Sequence, residues 1–198
     1  MRSLRLKSTL ILAMLLCGTF FSACCSEPVQ QPTGTYVFKP PSPDELAVLR
    51  ELAKGNSDKT GMALLADFKS LTPDVADFNS WMNTTQKQLG DQLKQWADEH
   101  QIDLTYQFPP GLVGKGEKAD EDSEGSMLLN DDPHQFQRDY LAMMLFDFDR
   151  QQQFISQALA NTDDPELKSY LESAAKITSE AHDRLRKLLD QYHWAGAQ

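Results

Sequence analysis

The sequence predicts an all-α fold, an antiparallel four-helix bundle with one long crossover between its second and third helices. Three observations carry this. A capping residue followed by proline recurs four times, at Ser42-Pro43, Thr72-Pro73, Asp132-Pro133 and Asp164-Pro165. Apolar residues at helical spacing follow these pairs, and no stretch alternates apolar and polar residues as a half-buried strand would. Of the ten prolines, the other six fall outside the segments so marked.

A cap followed by proline starts a helix for a physical reason. The cap side chain accepts an orphan backbone N–H, and proline at the first helical position gives up an N–H that would be unpaired anyway. Glu45 and Gln135 stand three residues after their caps, the capping-box spacing. Asp44, Asp74 and Glu166 place negative charge at the positive end of the helix dipole. The helices expected are Pro43–Ser70, Pro73–Gln101, Pro133–Asn161 and Pro165–Tyr192. Gly55, Asn56, Ser57 and Gly61 are expected to bend or break the first. The second aligns Phe78, Met82, Leu89, Leu93 and Trp96. The third aligns Phe136, Tyr140, Met143, Met144, Phe148 and Ile155, and the fourth Leu167, Leu171, Ala174, Ala181, Leu185 and Leu188.

The connections set the topology. Short links join helices one to two and three to four, which makes two antiparallel hairpins. Helices two and three are separated by Ile102 to Asp132, with Pro109-Pro110-Gly111 and an acidic run from Glu117 to Glu124. A helix of this size spans roughly 40 Å, and about 12 extended residues cross that distance. The 102–132 segment therefore reads as a long crossover loop that leaves helices two and three parallel. That is the ferritin-like arrangement; an up-down bundle with a long loop at one end is the alternative. The helical domain is expected over 42–192, with a tail at 193–198.

Ahead of it lies an address. Arg2, Arg5 and Lys7 precede the uncharged apolar stretch Ser8 to Ala23. That is short for a membrane span, which needs about 20 apolar residues, and suits a signal-peptide core. The stretch ends Phe21-Ser22-Ala23-Cys24, which resembles a bacterial lipobox. Residues 1–23 are thus expected to be a lipoprotein-type signal peptide, Cys24 the lipidated mature terminus, and 24–41 a flexible tether. A secreted protein with a free Cys24 is the alternative. Cys17 would leave with the signal and Cys25 would be the sole free thiol. The folded domain would then have no disulfide, no cysteine metal site and no cysteine nucleophile. In proteobacterial lipoproteins an Asp after the lipidated cysteine marks retention at the inner membrane. Cys25 stands there, so the resemblance implies the outer membrane, facing the periplasm. The expected partner is the membrane, reached through the acyl chains. The net charge of −10 becomes −13 once the three bases of the signal are gone, which argues against nucleic acid as a partner.

Candidate chemistry is sparse. Ferritin-like bundles often hold two metals through Glu-x-x-His motifs; this chain has none. Asp131-x-x-His134 and Asp190-x-x-His193 fall at a helix start and a helix end. On helical wheels, Asp147 and Gln151 fall on the apolar face of helix three. Thr178 and His182 fall on or beside that of helix four, and Gln86 and His100 on or beside that of helix two. Asp147, His182 and Gln86 are therefore candidate buried polar or metal-binding positions. Asp147 and His182 would form a charge-assisted pair or share one metal ion. There is no Gly-x-Ser-x-Gly elbow, phosphate-binding glycine loop or His-Glu-x-x-His. Met82, Met143 and Met144 read as core filler or as the lining of an apolar ligand site. The expectation is a non-catalytic structural or binding protein of the cell envelope, without a cofactor. A metal-binding or redox stress protein using Asp147 and His182 is the alternative.

Two stretches resemble a family of bacterial exported proteins of unknown function, often labelled "predicted outer membrane protein", with a ferritin-like fold. One is Phe136-Gln-Arg-Asp-Tyr-Leu-Ala-Met-Met, followed by Asp163-Asp-Pro-Glu-Leu-Lys-Ser-Tyr and by His182 before Leu185. The other is Gly55 to Leu65 with Thr72-Pro-Asp-Val and Trp81-Met82. The resemblance covers most of Asp44 to Leu189. It also implies further histidines at the positions held here by Gln86 and Phe148. Only His182 remains, so any metal capacity of such relatives would be lost in this chain.

Overall fold

Every expected cap–proline pair starts a helix. The computed structural model describes residues 36–130 and 132–191 and contains five helices over them: α1 Pro43–Ala66, α2 Pro73–Glu99, α3 Leu112–Asn130, α4 Pro133–Asn161 and α5 Pro165–Gln191. The expected signal peptide, Cys24, Cys25, the tether up to residue 35, Asp131, His193 and the tail lie outside the described residues. So do the side chains of residues 120, 124, 125, 127–130, 133 and 134.

The caps work as their chemistry requires. The Ser42 N–H donates to Glu45 Oε2 at 2.7 Å while the Glu45 N–H donates to Ser42 Oγ at 3.3 Å, closing a capping box. Those bonds from Ser42 hold the Glu45 carboxyl below its ordinary range. Asp132 and Asp164 accept from the N–H groups of Gln135 and Leu167. At α2 the backbone is tied differently: the Thr72 N–H donates to Gln137 Oε1 of α4 at 2.6 Å. Ser42→Ala is expected to cost about 1 kcal/mol. Urea unfolding would register this as a lower midpoint at constant m, and an unmoved midpoint would contradict it.

α1 departs from expectation, since it runs unbroken through Gly55, Asn56, Ser57 and Gly61. Tertiary bonds override the weak local propensity there. Asn56 is buried and donates to Tyr170 Oη of α5 at 3.2 Å, while Gln151 of α4 donates to Asn56 Oδ1 at 2.8 Å. α1 stops at Ala66 rather than Ser70. Asp67 caps it, and the Asp67 carboxylate accepts a 2.8 Å bond from Asn79 of α2.

The 102–132 crossover is a second correction. It is not a loop throughout, because α3 occupies its later part. Pro109-Pro110-Gly111 turns the chain, with Gly111 at φ +85°, where a side chain would be strained. Gly114 then packs so closely that a Cβ on it would lie 1.9 Å from the Pro109 carbonyl oxygen. From Leu112 to Asn130 no proline intervenes, and Lys118 and Asp122 form an i,i+4 ion pair. The acidic run thus lies along a helix.

Residue pairs fix the bundle order. Asn79 of α2 donates to the Ala63 carbonyl of α1, and the Gly90 position faces Asn56, so these helices are antiparallel. Lys59 lies over the Phe148 ring and Lys69 over the Phe136 ring, which makes α1 and α4 antiparallel. Tyr140 meets Asn79 and Gln151 meets Gln86, so α2 and α4 advance together. Arg184 of α5 stacks on Trp81 of α2 while Tyr170 lies farther along beside Asn56. Helices two and three of the expected bundle are thus parallel, and the chain crosses the bundle's length between them. The end of the expected tether is also placed: Phe38 lies on the His100 ring at 4.0 Å and edge-on to Trp96, so residues 36–41 are docked and not a free linker.

The core comes in two halves. One gathers Phe78, Met82, Phe136, Tyr140, Met144, Phe148 and Leu185. The other gathers Leu49, Leu52, Leu89, Leu93, Trp96, Ile155 and Leu171. Between the two lies a layer that is not apolar.

Candidate functional site

Each helix of the bundle supplies a polar side chain to that middle layer. On α1, Asn56 and Lys59 stand between Leu52 and Ala63; on α2, Gln86 stands between Met82 and Leu89. On α4, Gln151 stands between Phe148 and Ile155; on α5, Thr178 stands between Ala174 and Ala181. All five are buried. Each continues the apolar stripe of its helix at a three- or four-residue step, so the same register that builds the core brings them together. Gln151 Nε2 bridges Asn56 Oδ1 and, at 3.5 Å, Gln86 Oε1. Tyr170, whose phenol burial pushes up to about 12, closes the chain on Asn56.

Lys59 is the unusual member. Its side chain is 2% exposed, its Nζ donates to the Gly55 carbonyl at 3.3 Å, and its ammonium lies 5.0 Å from the centre of the Phe148 ring. Burial lowers its pKa to about 8, against a smaller opposing pull from Asp147. Burial raises the Asp147 carboxyl, again opposed by Lys59.

The expected pairing of Asp147 with His182 is not formed. His182 Nε2 lies 2.9 Å from Asp149 Oδ1, an exposed residue of α4, and the charge that acts most on Asp147 is that of Lys59. Successive helix residues turn by about 100°, so positions 147 and 149 face directions about 200° apart and one histidine cannot serve both. Gln86 is buried as its wheel position implies. His100 packs at the bundle end, with Nδ1 2.8 Å from the Trp96 carbonyl oxygen. Met82 and Met144 are fully buried core filler. The layer's donor set does not suit a metal ion. It offers amides, a hydroxyl and an ammonium that would repel a cation, and no three His, Cys, Asp or Glu side chains converge among the described residues.

A second feature lies on the outer face of α1 and α4. α3 stands over that face and leaves a cleft of about 760 Å³. Lys54, a residue of α1 that is 17% exposed, donates to Asp58 at 2.6 Å and to Glu121 of α3 at 2.7 Å. Its ammonium lies 5.5 Å from the centre of the Tyr106 ring. Burial works against that ammonium, but Asp58 and Glu121 outweigh it and raise its pKa. The Tyr106 hydroxyl donates to Glu117 Oε2 at 3.1 Å, and burial and the nearby Glu51 push the phenol far up. Met143, Phe146 and Phe154 supply an apolar wall.

A profile of the family described as "Domain of unknown function (DUF4142)" matches residues 35–188. The chain belongs to that family. The matched span runs from the docked segment through most of α5, so the DUF4142 domain includes α3, the middle layer and the cleft. No curated protein matches the chain. The crystal structure of a DUF305 fragment from Deinococcus radiodurans is similar to this DUF4142 domain. It shares 13% identity and a TM-score of 0.67, over 77% of this chain and 99% of that one. At such identity the likeness shows a common helical fold and nothing about activity.

Lys54, Lys59, Tyr106 and Glu117 are not among the sequence candidates, and Glu121 stands there only within the acidic run, which reads as a solvated loop. A signal for Lys59 exists: Leu49, Leu52, Asn56, Lys59, Ala63 and Ala66 step by three and four residues, an unbroken bundle stripe. No such signal marks the cleft, whose residues come from three separate segments.

Proposed function

We propose that this DUF4142 protein is a non-catalytic binding protein of the bacterial cell envelope, held to the membrane by lipid on Cys24. The observation that carries the binding half is the cleft beneath α3, whose volume lies in the range of small-molecule sites and which combines an apolar wall with a few polar groups. That the binding is non-catalytic is supported by the middle layer. Amides exchange no protons near neutral pH, and the one titratable amine there, Lys59, is sealed from solvent. The anchor half rests on the lipobox-like Phe21-Ser22-Ala23-Cys24. No helix among the described residues is long and apolar enough to cross a membrane.

Fractionation tests the anchor. Cys24→Ser is expected to move the protein from the membrane pellet to the soluble periplasmic fraction, and a variant that stays with the membrane would refute lipidation at this site. The cleft is tested by ligand binding, with the class of ligand argued next.

A further inference from the structure

We propose that the cleft between α1, α3 and α4 binds an organic ammonium ion that carries an apolar body. The inference rests on the reading of the cleft as a binding site and adds the class of its ligand.

Charge comes first. The cleft is lined by five carboxylates against two bases. Lys54 accounts for two of the carboxylates, Asp58 and Glu121. Glu51 and Glu117 have no base within ion-pair distance among the described residues. They share the single phenol proton of Tyr106, which donates to Glu117 and interacts with Glu51. Two carboxylates around one neutral donor leave uncompensated negative charge beside an aromatic ring, and a cation removes that imbalance.

The chain itself supplies the second observation. Lys54 places an ammonium in this cleft, held by carboxylates and by the Tyr106 face. Lys54 uses Asp58 and Glu121, so a second ammonium would be held by Glu51 and Glu117, since carboxylates near aromatic rings recognise alkylated ammonium groups. The third observation selects an apolar body over a bare cation. Phe146 is 68% exposed on α4 at the cleft, far more than a ring of its size usually is, and Met143 and Phe154 lie along the same wall. Methionine adapts its shape to varied apolar groups, which suits a ligand site.

α3 is what makes the cleft. It touches α4 lightly, and Glu117 and Glu121 tie it across to Tyr106 and Lys54. A cation bound between Glu51 and Glu117 would bridge α1 to α3 and hold the crossover helix to the bundle.

Benzyltrimethylammonium is the probe, because it joins a quaternary ammonium to an aromatic body without partitioning strongly into lipid. Isothermal titration of the full chain is expected to show saturable binding of this probe, and at least about tenfold weaker binding of benzyl alcohol and benzoate. Glu51→Gln combined with Glu117→Gln should weaken the cation about tenfold or more, and Phe146→Ser should weaken it as well. Both variants alter partly or fully exposed side chains, and circular dichroism would confirm that they fold. Equal binding of all three probes, or a cation affinity unmoved by the double Gln change, would overturn the ammonium assignment while leaving the cleft a binding site. Absence of binding by any of the three would overturn the assignment and the binding reading together.

Discussion

Asn79→Ala is expected to destabilise the bundle by about 3 kcal/mol, a fall of roughly 10 °C in Tm for a domain of this size. Asn79 is the junction of three helices. Its amide donates to the Ala63 carbonyl at 3.0 Å and to the Asp67 carboxylate at 2.8 Å, and its carbonyl accepts from the Tyr140 hydroxyl at 2.5 Å. Asn79 is 1% exposed and Tyr140 fully buried. Truncation therefore leaves the phenol only the Met82 sulfur at 4.0 Å, a weak acceptor, and water cannot reach it without opening the core. Leaving a buried group unpaired costs about 1–3 kcal/mol, more than a hydrogen bond contributes when both partners are present. Burial already pushes the Tyr140 phenol far above its ordinary pKa, so ionisation offers no escape. A double-mutant cycle isolates the mechanism. Tyr140→Phe alone is expected to cost about 1 kcal/mol, but much less in the Asn79→Ala background, because there it removes an orphan. Chemical denaturation of the four proteins would measure this, and additive costs would show that the Tyr140–Asn79 bond is not what the loss reports.

The fold was largely legible because its punctuation is chemical. The four cap–proline pairs start helices at the positions expected, and Pro133–Asn161 is matched at both ends. Residue spacing also implied the crossover, since a long link and two short ones admit few arrangements of four helices. Two things were less legible. α3 carries its charge on a helix without an apolar stripe and with glycine at 114, 116 and 125, so periodicity gave no sign of it, and only the absence of proline from Leu112 to Asn130 did. The first helix looked weak at Gly55 to Gly61 because local propensity ignores what Asn56 does across the bundle. At the candidate site, Gln86, Gln151 and Thr178 were readable as intrusions on apolar stripes. Lys59 was not read so, because a lysine is normally taken for a surface residue whatever its position on the wheel. Asp147 and Asp149 illustrate the limit of such placement. A wheel ranks both against the stripe, but which carboxylate His182 meets depends on a rotation of one helix against another, and that is set by packing.

Lys59→Met tests the middle layer and carries an expected gain. The Lys59 pKa falls from 10.5 in an unfolded chain to about 8 in the fold, chiefly through burial. The folded state thus holds this proton less tightly than the unfolded state does. At one pKa unit per 1.36 kcal/mol, keeping the ammonium in the core costs about 3 kcal/mol at neutral pH. That cost already includes the favourable pull of Asp147. Methionine has similar length and no charge, and it packs well against Phe148, so the variant is expected to be about 3 kcal/mol more stable at pH 7. The sign of the pH trend follows from the same shift. Between pH 8 and 10.5 the unfolded chain carries more protons at this site than the folded one, so the native protein gains stability from Lys59 as pH rises. The advantage of methionine should therefore shrink above pH 8 and vanish near pH 10.5, by which point lysine is neutral in both states. Asp147→Asn makes the complementary perturbation. It removes the carboxylate and leaves the buried charge, so it should destabilise at pH 7 and push Lys59 lower still. Urea unfolding at pH 7, 9 and 10.5 would separate the cases. If methionine instead lowered stability at pH 7, the attraction of Asp147 and Phe148 would exceed the cost of burial. The trend would then run the other way, with the native protein losing its advantage as Lys59 gives up its proton.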